Sequence, residues 1–279
     1  MLSIIFGFFA AASWGAGDFA GGLASRRTGV YRAAFYGLAF GLVLLLAAIP
    51  FIHEPAMPWY LWILDIFAGV INAIGMMIFY RALAEGQMSV AAPVSALMTA
   101  GLPVIVTGLI LGLPRPTTLA SFAMALLAIW LISQGSGPSK KAVVRFADVR
   151  KPLIAGLFFG IYFILINLGS QHAVLLPLVA ARSAGTITLL VIFAFKCGVS
   201  LPEKTVWPLI ALNAVCDVSG NVLYILAGQI GRMDVAAVLS SLYPGFTVIL
   251  AWIMLREKIT RAQFVGILAA LAAIVMMTI

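Results

Sequence analysis

Charge is scarce in this chain. Asp, Glu, Lys and Arg make up 9% of its 279 residues, against roughly a quarter in soluble domains. With 63% hydrophobic residues and a mean hydropathy of +1.14, no fold in water hides so much apolar surface. The apolar runs do not alternate with polar residues, which excludes barrel strands. In lipid every backbone polar group must be satisfied internally, so the spans are helices. Cysteine is nearly absent as well: Cys197 and Cys216 both lie in apolar runs, too few for a disulfide framework and without metal-ligand spacing. They read as small core residues, and neither metal nor cofactor is expected. No Gly-x-x-x-x-Gly-Lys phosphate loop occurs, so any uphill work must draw on an ion or solute gradient. His53 and His172 fall in different connectors with no carboxylate cluster beside them, which argues against an intramembrane enzyme. A channel would need a ring of like groups or a filter sequence, and neither is evident.

What the chain has is ten apolar stretches, each long enough for a helix to cross, at about 20 residues per crossing. Polar, Gly or Pro breaks place them at 2–24, 31–52, 60–84, 89–112, 117–135, 152–171, 175–197, 205–228, 233–255 and 261–279. The first has no basic leader and carries Asp18 within its apolar run, so it reads as a retained span. The longest connector is the basic stretch 136–151, which divides a five-helix half, 1–135, from a second, 152–279.

Internal repetition supports that division. Gly86-Gln-Met-Ser-Val-Ala-Ala92 recurs as Gly231-Arg-Met-Asp-Val-Ala-Ala237, and the same offset pairs Asn72 with Asp217 and Gly75 with Gly220. At a slightly different offset Phe8-Phe9 pairs with Phe158-Phe159 and Arg32 with Arg182. Five spans per half is odd, so the second copy lies upside down relative to the first, an arrangement that places a solute site near the midplane between copies. The expected fold is therefore all-α, polytopic, with ten transmembrane helices as two inverted five-helix repeats.

The net charge of +8 would suggest nucleic acid in a soluble protein, but here the basic residues sit in short connectors. All Lys and Arg other than Arg115, Arg182 and Arg232 fall on one side of the predicted topology, and by the positive-inside rule both termini face away from the cytoplasm. A nucleic-acid partner is not expected.

Trp14-Gly15 in the first span, Arg32 at the start of the second, Tyr80-Arg81-Ala82-Leu83 closing the third and Glu257-Lys258-Ile259-Thr260 after the ninth give the whole chain a resemblance to the drug/metabolite transporter superfamily, specifically its EamA-type members. One departure stands out: the turn after the fourth span reads Gly112-Leu-Pro-Arg-Pro-Thr117, without the acid that usually stands there. The resemblance implies a secondary carrier or exporter of small metabolites, often amino acids or related compounds, as a multi-pass protein of the bacterial inner membrane. A lipid or lipid-linked flippase, or a scaffold among membrane lipids, is the alternative, because a lipid groove and a metabolite cavity look alike in sequence.

Charged groups within the bilayer are expensive, roughly 2.5–3.5 kcal/mol each on insertion scales, and so mark candidate sites. Asn213, Asp217 and Asn221 at i, i+4, i+8 form one polar stripe on the eighth span, with Tyr224 beyond it. The stripe lines a solute cavity or acts as interhelical hydrogen-bonding glue. Asn72 is its counterpart in the third span. Arg182 is placed to pair with Asp217 or to receive a substrate carboxylate, and Trp14, Tyr162 and Tyr243 to stack on a solute. Asp217 and Asp18 are the candidates for a coupling ion, a proton being the simplest. Asp65 reads as interfacial, and Arg81 with Glu85 as a helix-end ion pair. Pro93, Pro103, Pro177 and Pro244 interrupt spans, and Pro93 and Pro244, on symmetry-related spans, are candidate gate or hinge positions. Five plus five helices suffice for a monomer, and a homodimer stays open.

Overall fold

The structure, a computed structural model, describes residues 1–85, 88–132, 146–197, 200–255 and 260–278. These residues form helices α1 (Leu2–Thr28), α2 (Val30–Ala48), α3 (Trp59–Glu85), α4 (Met88–Leu111), α5 (Pro116–Ile132), α6 (Phe146–Gly169), α7 (Leu175–Cys197), α8 (Trp207–Ile230), α9 (Met233–Ser240), α10 (Tyr243–Leu255) and α11 (Arg261–Thr278). The chain is an integral, multi-pass, all-helical protein. Seven segments are long and apolar enough to cross a membrane, and three shorter apolar helices accompany them. α9 and α10 together make the ninth span, so eleven helices give ten crossings.

Local chemistry sets the boundaries. α1 and α2 are joined by Gly29 alone, at φ +88°, where a side chain would be strained. α6 starts at Phe146, inside the stretch read as connector, and 133–145 lie outside the described residues. The ninth span breaks at Ser241-Leu242, and Pro244 then sits in the first turn of α10, where its missing N–H leaves no helical bond unmade. Pro177 likewise falls in the first turn of α7. Pro244 thus borders a true discontinuity, whereas the side chain of Pro93, like that of Glu85, lies outside those described.

The helices pack in symmetry-related pairs. α1 lies along α8 as α6 lies along α3, and α4 packs on α6 as α9 and α10 pack on α1, while α2 meets α7 and α5 meets α11. α4 and α9 both begin at the methionine of the repeated fragment. Two three-span bundles result: α3, α4 and α6 in one, α1, α8 and α9–α10 in the other. Each bundle mixes the two sequence halves. Close approach depends on small residues, because apolar side chains gain little by leaving lipid for protein. A Cβ on Gly220 would meet the Trp14 indole at 2.6 Å, and one on Gly75 would meet Phe158 Cβ at 2.8 Å. Phe9, Val43, Phe67, Leu109 and Phe195 are exposed around the circumference, as a lipid-facing surface requires.

Alternating spans put both termini and the connectors 49–58, 112–115, 170–174 and 231–232 at one end, here the terminal end. Contacts bear this out: Ser3 Oγ donates to the Ala227 carbonyl at 2.8 Å and Arg232 to the Gly112 carbonyl at 3.1 Å. Opposite, at the basic end, Arg32 donates to Ser200 Oγ at 2.8 Å and Tyr36 to the Ser200 carbonyl at 3.2 Å.

Candidate functional site

Between the two bundles lies a cavity lined by Trp14 and Asp18 of α1; Asn72, Met76, Phe79 and Tyr80 of α3; Thr99 of α4; Phe159, Tyr162 and Phe163 of α6; Asp217 and Asn221 of α8; and Tyr243 of α10. Every core helix of both bundles except α9 contributes. The positions paired by the repeat, Asn72 and Asp217, both face it.

The polar residues are held in a chain. Tyr162 donates to Asn221 Oδ1 at 2.6 Å, and Asn221 Nδ2 donates to the Asp217 carbonyl at 2.7 Å. Asp217 forms an ion pair with Arg182 of α7, whose side chain is 7% exposed while that of Asp217 is 24% exposed. Asp217 is thereby held at the wall, with Arg182 tucked behind it. Asp18 has no hydrogen-bond or ion-pair partner among the described residues and lines the cavity directly.

On its terminal side the cavity is sealed by aromatic and polar contacts between bundles. Phe163 stacks on Tyr224 at 4.3 Å between centroids and on Trp14 at 5.2 Å. Tyr224 donates to the Phe163 carbonyl at 3.0 Å. Beyond them Asn167 presses on Gly228, where a Cβ would overlap its amide, and Gln229 donates to the carbonyls of Ser170 and, at 3.2 Å, Ala173.

The structure thus gathers Trp14, Asp18, Asn72, Tyr162, Asp217, Asn221 and Tyr243, and places three expected residues elsewhere. Asn213 turns from the cavity and donates to the Gly17 carbonyl at 2.8 Å, against Gly21 and Gly37; one helical turn separates it from Asp217, but α1 covers that turn. Tyr224 is fully buried in the seal. Arg182 is spent on Asp217 and is absent from the lining. Asp65, read as interfacial from its place near the start of the span, is wholly buried within the protein. Met76, Phe79, Tyr80, Thr99, Phe159 and Phe163 were missed. Asn72, one turn before Met76 and two before Tyr80, was the available signal for the α3 members.

Ten membrane-spanning helices in two inverted repeats around a buried polar cavity define a membrane transporter. The chain belongs to the EamA-like transporter family, whose pattern matches residues 1–134 and again 152–279. It is 24% identical over 127 residues to an uncharacterized Methanocaldococcus jannaschii protein, MJ1333.1, covering 46% of this chain and 93% of that one; that relative is the size of one repeat. A solved crystal structure shares the fold, with a TM-score of 0.79 and 15% identity, over 99% of this chain and 96% of its own.

Proposed function

We propose that the protein is a secondary carrier that exports a small polar metabolite bearing an amino group, an amino acid or related compound, by alternating access. One observation carries this reading: the unpaired carboxylate of Asp18 shares an aromatic-walled cavity with Asn72, Asn221 and the already neutralised Asp217. A cationic amine meets Asp18 and the faces of Trp14, Tyr80 and Tyr243, while the amides of Asn72 and Asn221 offer donors to an accompanying carboxylate. The moving bodies are the two mixed bundles, and not one sequence half against the other, since α1 is packed on α8 and α6 on α3. With the basic connectors in the cytoplasm, the sealed terminal end faces outward in this conformation and the protein resides in the bacterial inner membrane.

Thermal unfolding across a panel of amino acids, amines and organic acids tests the reading. A solute at a hundred times its dissociation constant stabilises by about 2.7 kcal/mol. One amine-bearing class is expected to raise the unfolding temperature, and Asp18→Asn and Asn221→Ala to abolish the shift. Stabilisation unchanged in both variants, or none by any polar solute, overturns it. For the solute so found, proteoliposome flux with and without a pH gradient tests proton coupling through Asp18; equal rates remove it.

A further inference from the structure

Asp65, like Asp18, is a carboxyl within a span that has no hydrogen-bond or ion-pair partner among the described residues, and it lies outside the cavity. It stands on α3 about 9 Å from the helix start, at 1.5 Å per residue. It is fully buried, and neither oxygen has a hydrogen-bond partner. The carboxyl lies against the backbone of Gly169, where a Cβ would fall on it. One turn further along α3, Gly69 is pressed equally close to the Ala181 carbonyl of α7. Asp65 is thus shut in by α3, the end of α6 and the start of α7, beneath the 170–174 turn.

Among the described residues no ionisable group on the surrounding elements pairs with it; Tyr162 of α6 is near enough to feel its charge but gives its hydrogen bond to Asn221. Among the described side chains these groups are Tyr60, Tyr80 and Arg81 on α3 itself, Arg150, Lys151 and Tyr162 on α6, Arg182 and Lys196 on α7, and Tyr31, Arg32 and Tyr36 on α2, with none on α4. Tyr60 is exposed and Tyr80 lines the cavity, Tyr162 and Arg182 are bonded to Asn221 and Asp217, and the others lie toward the basic end. In the connectors above, His53 and His172 are exposed. Glu54 is committed to the amides of Val174, Leu175 and Leu176 at 2.8–3.0 Å. A carboxylate buried with no partner is among the costliest groups a protein can hold. A metal cation would need several oxygen ligands, and no cluster of three ligating side chains exists among the described residues. A proton needs one oxygen.

We propose that Asp65 is a proton-binding site, neutral in this conformation, and that the 170–174 turn is its gate. The turn is fastened across the bundles: Gln229 of α8 holds the Ser170 and Ala173 carbonyls, while Glu54 holds its exit into α7. Separation of the bundles at the terminal end pulls that turn from Asp65 and lets its proton exchange with water. The gating half of this inference rests on the carrier reading above; the protonation half does not.

Infrared spectroscopy of the purified protein at neutral pH tests both. The wild type is expected to show the carbonyl band of an un-ionised carboxylic acid that survives in Asp18→Asn and is lost in Asp65→Asn, with Asp65→Leu as the second deletion should the first not fold. The band's shift on transfer to heavy water is expected to be on the order of tenfold faster in Gln229→Ala, which loses two hydrogen bonds from the turn. A wild type without the band, a band unchanged in the Asp65 variants, or one abolished by sodium ions at constant pH overturns the site. Unchanged exchange in Gln229→Ala overturns the gate. No solute enters the measurement, so a wild-type band that Asp65→Asn removes, in a protein that binds no solute, would sink the carrier and leave the proton site standing.

Discussion

At the scale of single residues the Arg182–Asp217 pair makes an asymmetric prediction. Removing one partner of a buried ion pair costs about 3–5 kcal/mol because the other charge is stranded. The two ends are not equally stranded. Asp217, 24% exposed toward the cavity, can be hydrated, whereas Arg182 is 7% exposed and a guanidinium cannot shed its proton. Asp217→Asn is therefore expected to lower the unfolding temperature in detergent clearly more than Arg182→Met, and the double variant to recover most of the loss. Equal single effects would mean that the pair is open to water on both sides. Glu54 yields a second prediction. Its carboxylate accepts three amides at the start of α7 and so joins the first half to the second. Glu54→Ala is expected to cost about 1–2 kcal/mol, as for a lost helix cap, with Glu54→Gln between it and the wild type, both read by chemical denaturation in detergent.

At the scale of helices, glycines separate packing from propensity. Replacing a helical Gly by Ala ordinarily gains up to about 1 kcal/mol. At Gly22 of α1 nothing lies within 4 Å of an added Cβ, while at Gly69 of α3 it would collide with the Ala181 carbonyl of α7. Gly22→Ala is expected to leave the unfolding temperature unchanged or raise it, and Gly69→Ala to lower it despite the same gain in propensity. A stabilised Gly69→Ala would show that α3 and α7 do not approach as closely as drawn. The contrast also shows what was legible. Span number followed from hydropathy and breaks, because lipid enforces helix along every apolar run, whereas α1 and α6 run past the expected limits, to Thr28 and from Phe146. Asp65 was placed near a membrane surface because position along a span fixes depth, yet its burial depends on Gly169, a neighbour more than a hundred residues away that no periodicity reveals. Asn213 failed for the same reason: the i, i+4, i+8 stripe fixes one face of α8, and α1 and α2 cover part of that face.

At the scale of the whole molecule, the repeat was legible but the two mixed bundles were not. Duplication is recorded in sequence, whereas the exchange of α1 and α6 between bundles is a fact of packing. It leads to a prediction that two cross-links separate. Gly17 of α1 and Cys216 of α8 share one bundle, with an added Cβ on residue 17 only 3.3 Å from that of Cys216, near the usual disulfide span of about 3.5–4.5 Å. Asn167 of α6 and Gly228 of α8 face each other across the terminal seal, in different bundles. Oxidising Gly17→Cys is expected to leave flux of the carried solute intact. Oxidising Asn167→Cys with Gly228→Cys, in a background lacking Cys197 and Cys216, is expected to stop flux until a reductant is added, while solute binding from the basic side persists. If instead the sequence halves moved as units, the outcomes would invert: the Gly17–Cys216 bond would join moving bodies and arrest transport, whereas Asn167 and Gly228, both in the second half, would be joined within one body. Flux through the oxidised Gly17→Cys protein therefore decides which division of the chain moves.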